Sequence, residues 1–152
     1  TLTLSTAATR STASVDVEYL GNPEASKKKI RAGWNRSGDV GHSDAEGWLY
    51  FVARKDDIIK SRGEKVSPRE VENAICSLEG VREAAVIGVP DAVLGEAVKA
   101  FIVLEDGRSL TEREVIKHCL GRLENFMAPK HVEFVAELPK TDTGKVRKTG
   151  LA

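Results

Sequence analysis

The sequence has no excess of either charge: 23 Lys and Arg balance 23 Asp and Glu over 152 residues. Without a basic patch or stripe to track a phosphate backbone, it is not built for nucleic acid. It also lacks an apolar run approaching the ~20 residues that cross a bilayer, so it offers no transmembrane segment. Thr1 to Ser14 alternate hydroxyl and small side chains, without the continuous apolar stretch of an export signal. Cysteine is scarce. Cys76 and Cys119 lie far apart, each inside an apolar helical pattern, and neither belongs to the C-x-x-C unit of a metal or redox pair. Both read as buried thiols in a reducing, cytoplasmic compartment. His42, His118 and His131 fall on different predicted elements with no ligand spacing, so no metal site, zinc included, is expected.

The length suffices for one ordinary core, hiding roughly two thirds of the unfolded surface on folding. Residues 1–38 do not build it. They run from a Ser/Thr/Ala-rich start through a short β-like patch, Val15 to Leu20, to the turn Gly21-Asn22-Pro23 and then Lys27-Lys28-Lys29. From Trp48 the pattern sharpens. Trp48 to Val52 reads as a strand that turns at Arg54 to Asp57 and returns through Ile58 to Lys60 as a hairpin. Ser67-Pro68-Arg69-Glu70 is a predicted capping box with proline at the first helical position. Val71, Ala74, Ile75 and Leu78 follow at helical spacing until Gly80. Val81 to Val89 and Val98 to Leu104 are β-rich runs, and Thr111 with Glu114 opens a second amphipathic helix carrying Val115 and Cys119. A last strand is expected over Val132 to Leu138, followed by a polar surface loop at the sheet's edge. The order predicts a small α+β domain, with a β-hairpin and a short, mainly antiparallel sheet packed against helices.

Taken singly, the polar residues have ordinary explanations. Lys145, after a turn glycine, is by itself a solvated lysine, although its long stem could reach charge developing on a phosphoryl group. Thr143-Gly144-Lys145 is not a Walker loop, which needs glycine where Pro139 stands and Ser or Thr where Val146 stands. Asp56-Asp57 beside Arg54-Lys55 is by default a solvated turn. Ser61-Arg62-Gly63-Glu64-Lys65 suits either a plain left-handed turn or backbone that approaches a ligand closely. Ser37-Gly38-Asp39 is a turn whose carboxylate is either a ribose ligand or a local acceptor.

Their order carries more. Ser37-Gly38-Asp39, the run from Arg54-Lys55-Asp56-Asp57 to Glu70-Val71-Glu72, Gly88-Val89-Pro90-Asp91 with Gly95-Glu96, and Leu138-Pro139-Lys140-Thr141 with Gly144-Lys145 together closely resemble the adenylate-forming superfamily. This is the family of acyl-CoA synthetases, peptide-synthetase adenylation domains and beetle luciferases. The likeness runs from about Tyr19 to the end of the chain. It implies residues 1–38 as a leading segment left from a large N-terminal domain, including the junction, and residues 39–152 as the C-terminal domain. It further implies an acid:thiol ligase that makes an acyl-adenylate from ATP and a carboxylic, fatty-type acid and passes the acyl group to CoA. Delivery to a carrier-protein thiol, or a non-catalytic interaction module, are the alternatives. By residue-level match Lys145 is the implied catalytic lysine, Asp39 and Arg54 the ribose ligands, Asp56 the hinge, and Gly63 a lining of the pantetheine path. ATP, Mg2+ and CoA are implied as cofactors and substrates, contributed mostly by the large domain, which is the implied partner. Ala53, Ser37 and Glu18 depart from the glycine, threonine and glycine usual at those places. No Gly-rich Ser/Thr phosphate loop occurs in the sequence, so the chain alone is expected to be inactive.

Overall fold

The computed structural model describes residues 5–10, 21–31 and 34–151; the Val15 to Leu20 patch, with Tyr19, lies outside the described residues. The chain forms two compact units, Thr1–Asp56 and Asp57–Ala152. The first contains β1 (Ser5–Arg10), α1 (Pro23–Lys29), β2 (Ile30–Arg31), β3 (Trp34–Ser43) and β4 (Leu49–Arg54). β3 organises this unit, pairing antiparallel with β1, β2 and β4. The Asp44 carboxylate accepts the backbone N–H groups of Glu46 and Trp48 at 3.0 and 2.9 Å, a turn that folds β4 back onto β3. Gly41 is required where the strands meet, because a Cβ there would lie 2.5 Å from the Tyr50 carbonyl oxygen.

The expected hairpin between Trp48–Val52 and Ile58–Lys60 is therefore not made. β4 is already committed to β3 through the Asp44 turn, and β5 (Ile59–Ser61) joins a different sheet. In the second unit β5 is followed by β6 (Glu64–Val66), α2 (Pro68–Cys76), β7 (Val81–Asp91), β8 (Gly95–Leu104), α3 (Glu112–Leu120) and β9 (His131–Phe134). β8 is central. It pairs antiparallel with β7 along its whole length, antiparallel with β5 at Gly95, and parallel with β9 over Lys99 to Ile102. The predicted α+β class, a hairpin and a mainly antiparallel sheet against helices, is what the chain adopts.

Alternation along β8 divides the core in two, because successive side chains point to opposite faces. Val98, Ala100 and Ile102 join Val71 and Ile75 of α2 and Val115 and Cys119 of α3. Phe101 and Val103 join Ala85 and Leu138 on the other side, with Val135, Val146 and Leu151 packed against them. Pro139 to Lys145, expected as a polar surface loop at the sheet's edge, is exposed apart from half-buried Thr141, and it is the stretch after it, through Val146 and Leu151, that packs on the face opposite the helices. Its apolar residues are too widely spaced among polar ones to show a period.

The helix termini differ from one another. At α3 the reciprocal box forms, Glu114 N–H donating to Thr111 Oγ1 at 3.3 Å and Thr111 N–H to the Glu114 carboxylate at 2.8 Å. At α2, Ser67 stands at the N-cap and Pro68 begins the helix, but the Ser67 side chain makes no capping bond, so the predicted box is absent. α2 also ends at Cys76 rather than running to Gly80, since the Ser77 hydroxyl donates to the Ala74 carbonyl at 2.7 Å and closes the last turn. Cys119 is buried as expected, whereas Cys76 is exposed. Val71, Ala74 and Ile75 form the inner stripe of α2, and Cys76 falls just beyond it. The last strand stops at Phe134 instead of Leu138, four residues being enough to match β8.

Ile75 of α2 has no exposed surface and belongs to the core cluster shared with β8 and α3. Ile75→Ala should destabilise the second unit by roughly 2–5 kcal/mol in chemical denaturation, the range for truncating a large aliphatic core residue. Leu120→Ala, at a half-exposed position, should cost much less.

Candidate functional site

Asp39 and Arg54 are cross-strand partners in the β3–β4 register, and one Arg54 guanidinium nitrogen lies 3.0 Å from Asp39 Oδ1. The structure thus brings together the two residues that the resemblance assigns to one ribose. A carboxylate beside a guanidinium offers an acceptor and donors, which suits a vicinal diol. Lys55 N–H donates to the Gly38 carbonyl at 2.8 Å, and the chain then passes through an exposed turn containing Asp56. Asp56 is the last residue of the first unit.

In the second unit, Arg62 and Gly63 form a two-residue turn between the paired residues Ser61 and Glu64. Both have left-handed backbones, with φ of 56° and 84°, the geometry of a type I′ hairpin. Glycine is needed at 63 for this conformation, and within the chain a Cβ there would meet nothing within 4 Å. The turn is anchored from behind. Arg62 N–H donates to the Leu94 carbonyl at 2.9 Å, and Lys60 N–H to the Glu96 carboxylate at 2.6 Å. Gly88 leaves space for this arrangement: a Cβ there would stand 3.0 Å from Ile59 Cγ2 and 3.2 Å from the Glu96 carboxyl carbon. Glu96 and Gly88 were noticed in the sequence only as members of a motif, and the contacts that explain them join residues far apart in the chain.

A groove of about 420 Å3 borders this turn, with Arg62, Leu94, Ile116, Leu120, Phe126 and Lys130 among its lining. Its rim is set by Asp91, whose carboxylate accepts Val93 and Leu94 N–H groups at 3.0 and 2.9 Å and pairs with the Lys130 ammonium. The Lys130 bond and these N–H donors hold the Asp91 carboxyl well below the usual carboxylate range. Nothing in the sequence marked Lys130. Burial pushes the Cys119 thiol up to about 11, so it is not a ready nucleophile.

Lys145 closes a three-residue hairpin. Gly144 N–H donates to the Thr141 carbonyl at 2.8 Å, Thr141 N–H to the Lys145 carbonyl at 2.7 Å, and Arg147 N–H to the Pro139 carbonyl at 2.7 Å. Gly144 takes φ of 79°, the left-handed position that follows a type I turn in such loops. The Lys145 side chain is exposed, and among the described residues no carboxylate pairs with its ammonium. Its hairpin rests on the sheet face carrying Phe101 and Val103, whereas the groove beside Gly63 includes Val98 and Ile116 of the helix side. The Lys145 hairpin thus rests on the sheet face opposite the helices, and the groove lined by Ser61 and Arg62 lies on the helix side. Among the described residues, no group of three or more His, Cys, Asp or Glu side chains gathers as metal ligands, and no helix is long and apolar enough to cross a membrane.

Residues 70–145 match the family of AMP-binding enzyme C-terminal domains. The chain is 44% identical to the crotonobetaine/carnitine–CoA ligase of Proteus mirabilis over 135 residues, covering 88% of this chain and 26% of that protein. It is 42% identical to the long-chain-fatty-acid–CoA ligase FadD13 of Mycobacterium tuberculosis over 134 residues, with the same shares of each chain. The crystal structure of ATP-bound MatB from Rhodopseudomonas palustris superposes with a TM-score of 0.79 at 38% identity, over 85% of this chain and 26% of that one. The chain spans about a quarter of the length of these relatives.

Because the folded-state pKa of Asp91 is depressed, its contribution to stability is complete above the unfolded value of ~3.9 and is lost as pH falls below it. Asp91→Asn should therefore lower the urea midpoint at pH 7, and the gap between variant and parent should narrow between pH 4 and pH 2. A gap independent of pH would show that the carboxylate charge plays no part.

Proposed function

Since the chain belongs to the family of AMP-binding enzyme C-terminal domains, we propose that it is the C-terminal domain of an ATP-dependent acid:CoA ligase acting on a carboxylic, fatty-type acid. Residues 1–38 are the end of a large N-terminal domain, and residues 39–152 the small domain that works against it in the cytoplasm. The exposure of Leu49 and Phe51, which share one face of β4, supports such a partner, since uncovered apolar side chains on one face ordinarily mark an interface.

The observation that carries the reading is that the Lys145 hairpin rests on one face of the sheet while the groove lined by Ser61 and Arg62 lies on the other. A ligase of this kind runs two reactions. In the first, the acid's carboxylate attacks the α-phosphorus of ATP and pyrophosphate leaves; in the second, a thiol attacks the acyl carbonyl and AMP leaves. Lys145 serves the first step. Two anions must approach, and a point charge fixed where negative charge accumulates lowers the barrier to their meeting. Asp39 and Arg54 hold the ribose through both steps. Rotation about Asp56, at the end of the first unit, then exchanges the Lys145 face for the Gly63 face. Backbone without a side chain at Gly63 leaves a passage for pantetheine. The groove with Arg62 in its lining favours a small phosphate-bearing thiol such as CoA. Mg2+ accompanies the nucleotide, and its ligands come from the large domain.

The chain alone should show no pyrophosphate exchange with any carboxylic acid. In an enzyme that includes the large domain, Lys145→Ala should slow adenylate formation on the order of 10²–10³-fold, as removal of one preorganised donor does elsewhere. Thioester formation from supplied acyl-adenylate should be nearly unchanged. Gly63→Trp should do the reverse. Equal losses in both half-reactions for the Lys145 variant would contradict alternating use of the two faces.

A further inference from the structure

Resting on that reading of Lys145, we propose that two ion pairs flanking its hairpin, Lys148 with Glu72 and Lys140 with Glu83, act as positioning residues that fix where the Lys145 ammonium is presented. A short hairpin has little stability of its own, and a lysine stem has several free rotors. A cation contributes to a transition state only when its backbone is already in place. The Pro139–Arg147 hairpin has one bridge, between Lys140 and Val146, and a few backbone bonds. Its attachment to the sheet comes from Leu138, Val146 and Leu151 in the core behind it and from the two ion pairs.

The Glu72 pair is the stronger. Glu72 Oε1 accepts the Val86 N–H of β7 at 2.9 Å and lies 2.6 Å from the Lys148 ammonium. The carboxylate is therefore oriented by both α2 and β7 before it receives the lysine. The side chains of Lys148 and Glu72 are only 28% and 19% exposed, so solvent and salt screen this pair less than an ordinary surface contact. Lys140 pairs with Glu83 of β7 at 2.7 Å, with 45% and 32% exposure, and gives a weaker second point of attachment. Lys148 lies three residues after Lys145 and Lys140 five before it, so the hairpin is gripped on both sides. Its one lysine without an ion pair among the described residues projects between them.

The test has two parts. In an enzyme that includes the large domain, Lys148→Met should lower kcat for adenylate formation roughly tenfold, as a small displacement of a reacting group does. KM for ATP and acid should stay unchanged, as should thioester formation from supplied acyl-adenylate, and Lys148→Arg should restore most of the rate. In this chain by itself, Lys148→Met should speed amide exchange at Thr141 and Arg147 while leaving Ala100 in β8 as protected as before. If Lys145→Ala leaves adenylation intact, the reading of Lys145 fails and this proposal with it. If Lys145→Ala is costly but Lys148→Met is neutral in rate and exchange, the positioning role alone is overturned. Faster exchange at Ala100 in the variant would also overturn it, by showing a loss of fold and not of position.

Discussion

The pairing of β7 with β8 is the constraint on which the second unit depends. Ten matched positions from Val81–Leu104 to Asp91–Gly95 fix which residues of β8 face each way. A shift of one residue would exchange Val98, Ala100 and Ile102 for Phe101 and Val103. The helices would then meet the face now shaped for Leu138 and Val146. The same register places Gly95 beside Ser61, so that β5 enters the sheet there and the Arg62–Gly63 turn projects from its end. The position of each candidate loop is thus a consequence of one hairpin.

Carboxylates do much of the anchoring. Asp91 organises the β7–β8 turn, Glu96 receives Lys60 N–H, Glu72 bridges α2 and β7, and Glu83 reaches the Lys145 hairpin. Each is satisfied by backbone N–H groups or a lysine, and bonds to a charged acceptor are stronger than neutral ones. Among the described residues no carboxylate pairs with the Lys145 ammonium, which is left facing solvent.

The local chemistry of the sequence made the helices and β-rich runs legible. The Thr111 box, Pro68 and the periodic Val71, Ala74 and Ile75 all act where they were expected. Strand pairing was not legible. β5 meets β8 through a single register pair 34 positions along the chain, Ser61 with Gly95, and no local pattern distinguishes that partner from nearby β4. The packing of the C-terminal segment was hidden for a related reason, since Leu138, Val146 and Leu151 are separated by polar residues and show no period. Among the site residues, Lys145, Asp39, Arg54, Asp56 and Gly63 stood out only through their order along a motif. Taken singly, a turn lysine or an exposed aspartate has no local signature of chemistry. The supporting contacts of Glu96, Lys130 and Glu83 needed the fold, because each joins elements distant in sequence.

The proposed function requires the sheet to order both loops before any substrate arrives, so that each can be presented in turn without refolding. Backbone 15N relaxation on this chain tests it most directly. If the claim holds, Arg62, Gly63 and residues Thr141 to Lys145 will show order parameters near those of β7 and β8, at about 0.85. Values below about 0.6 at either loop, beside a rigid sheet, would contradict it.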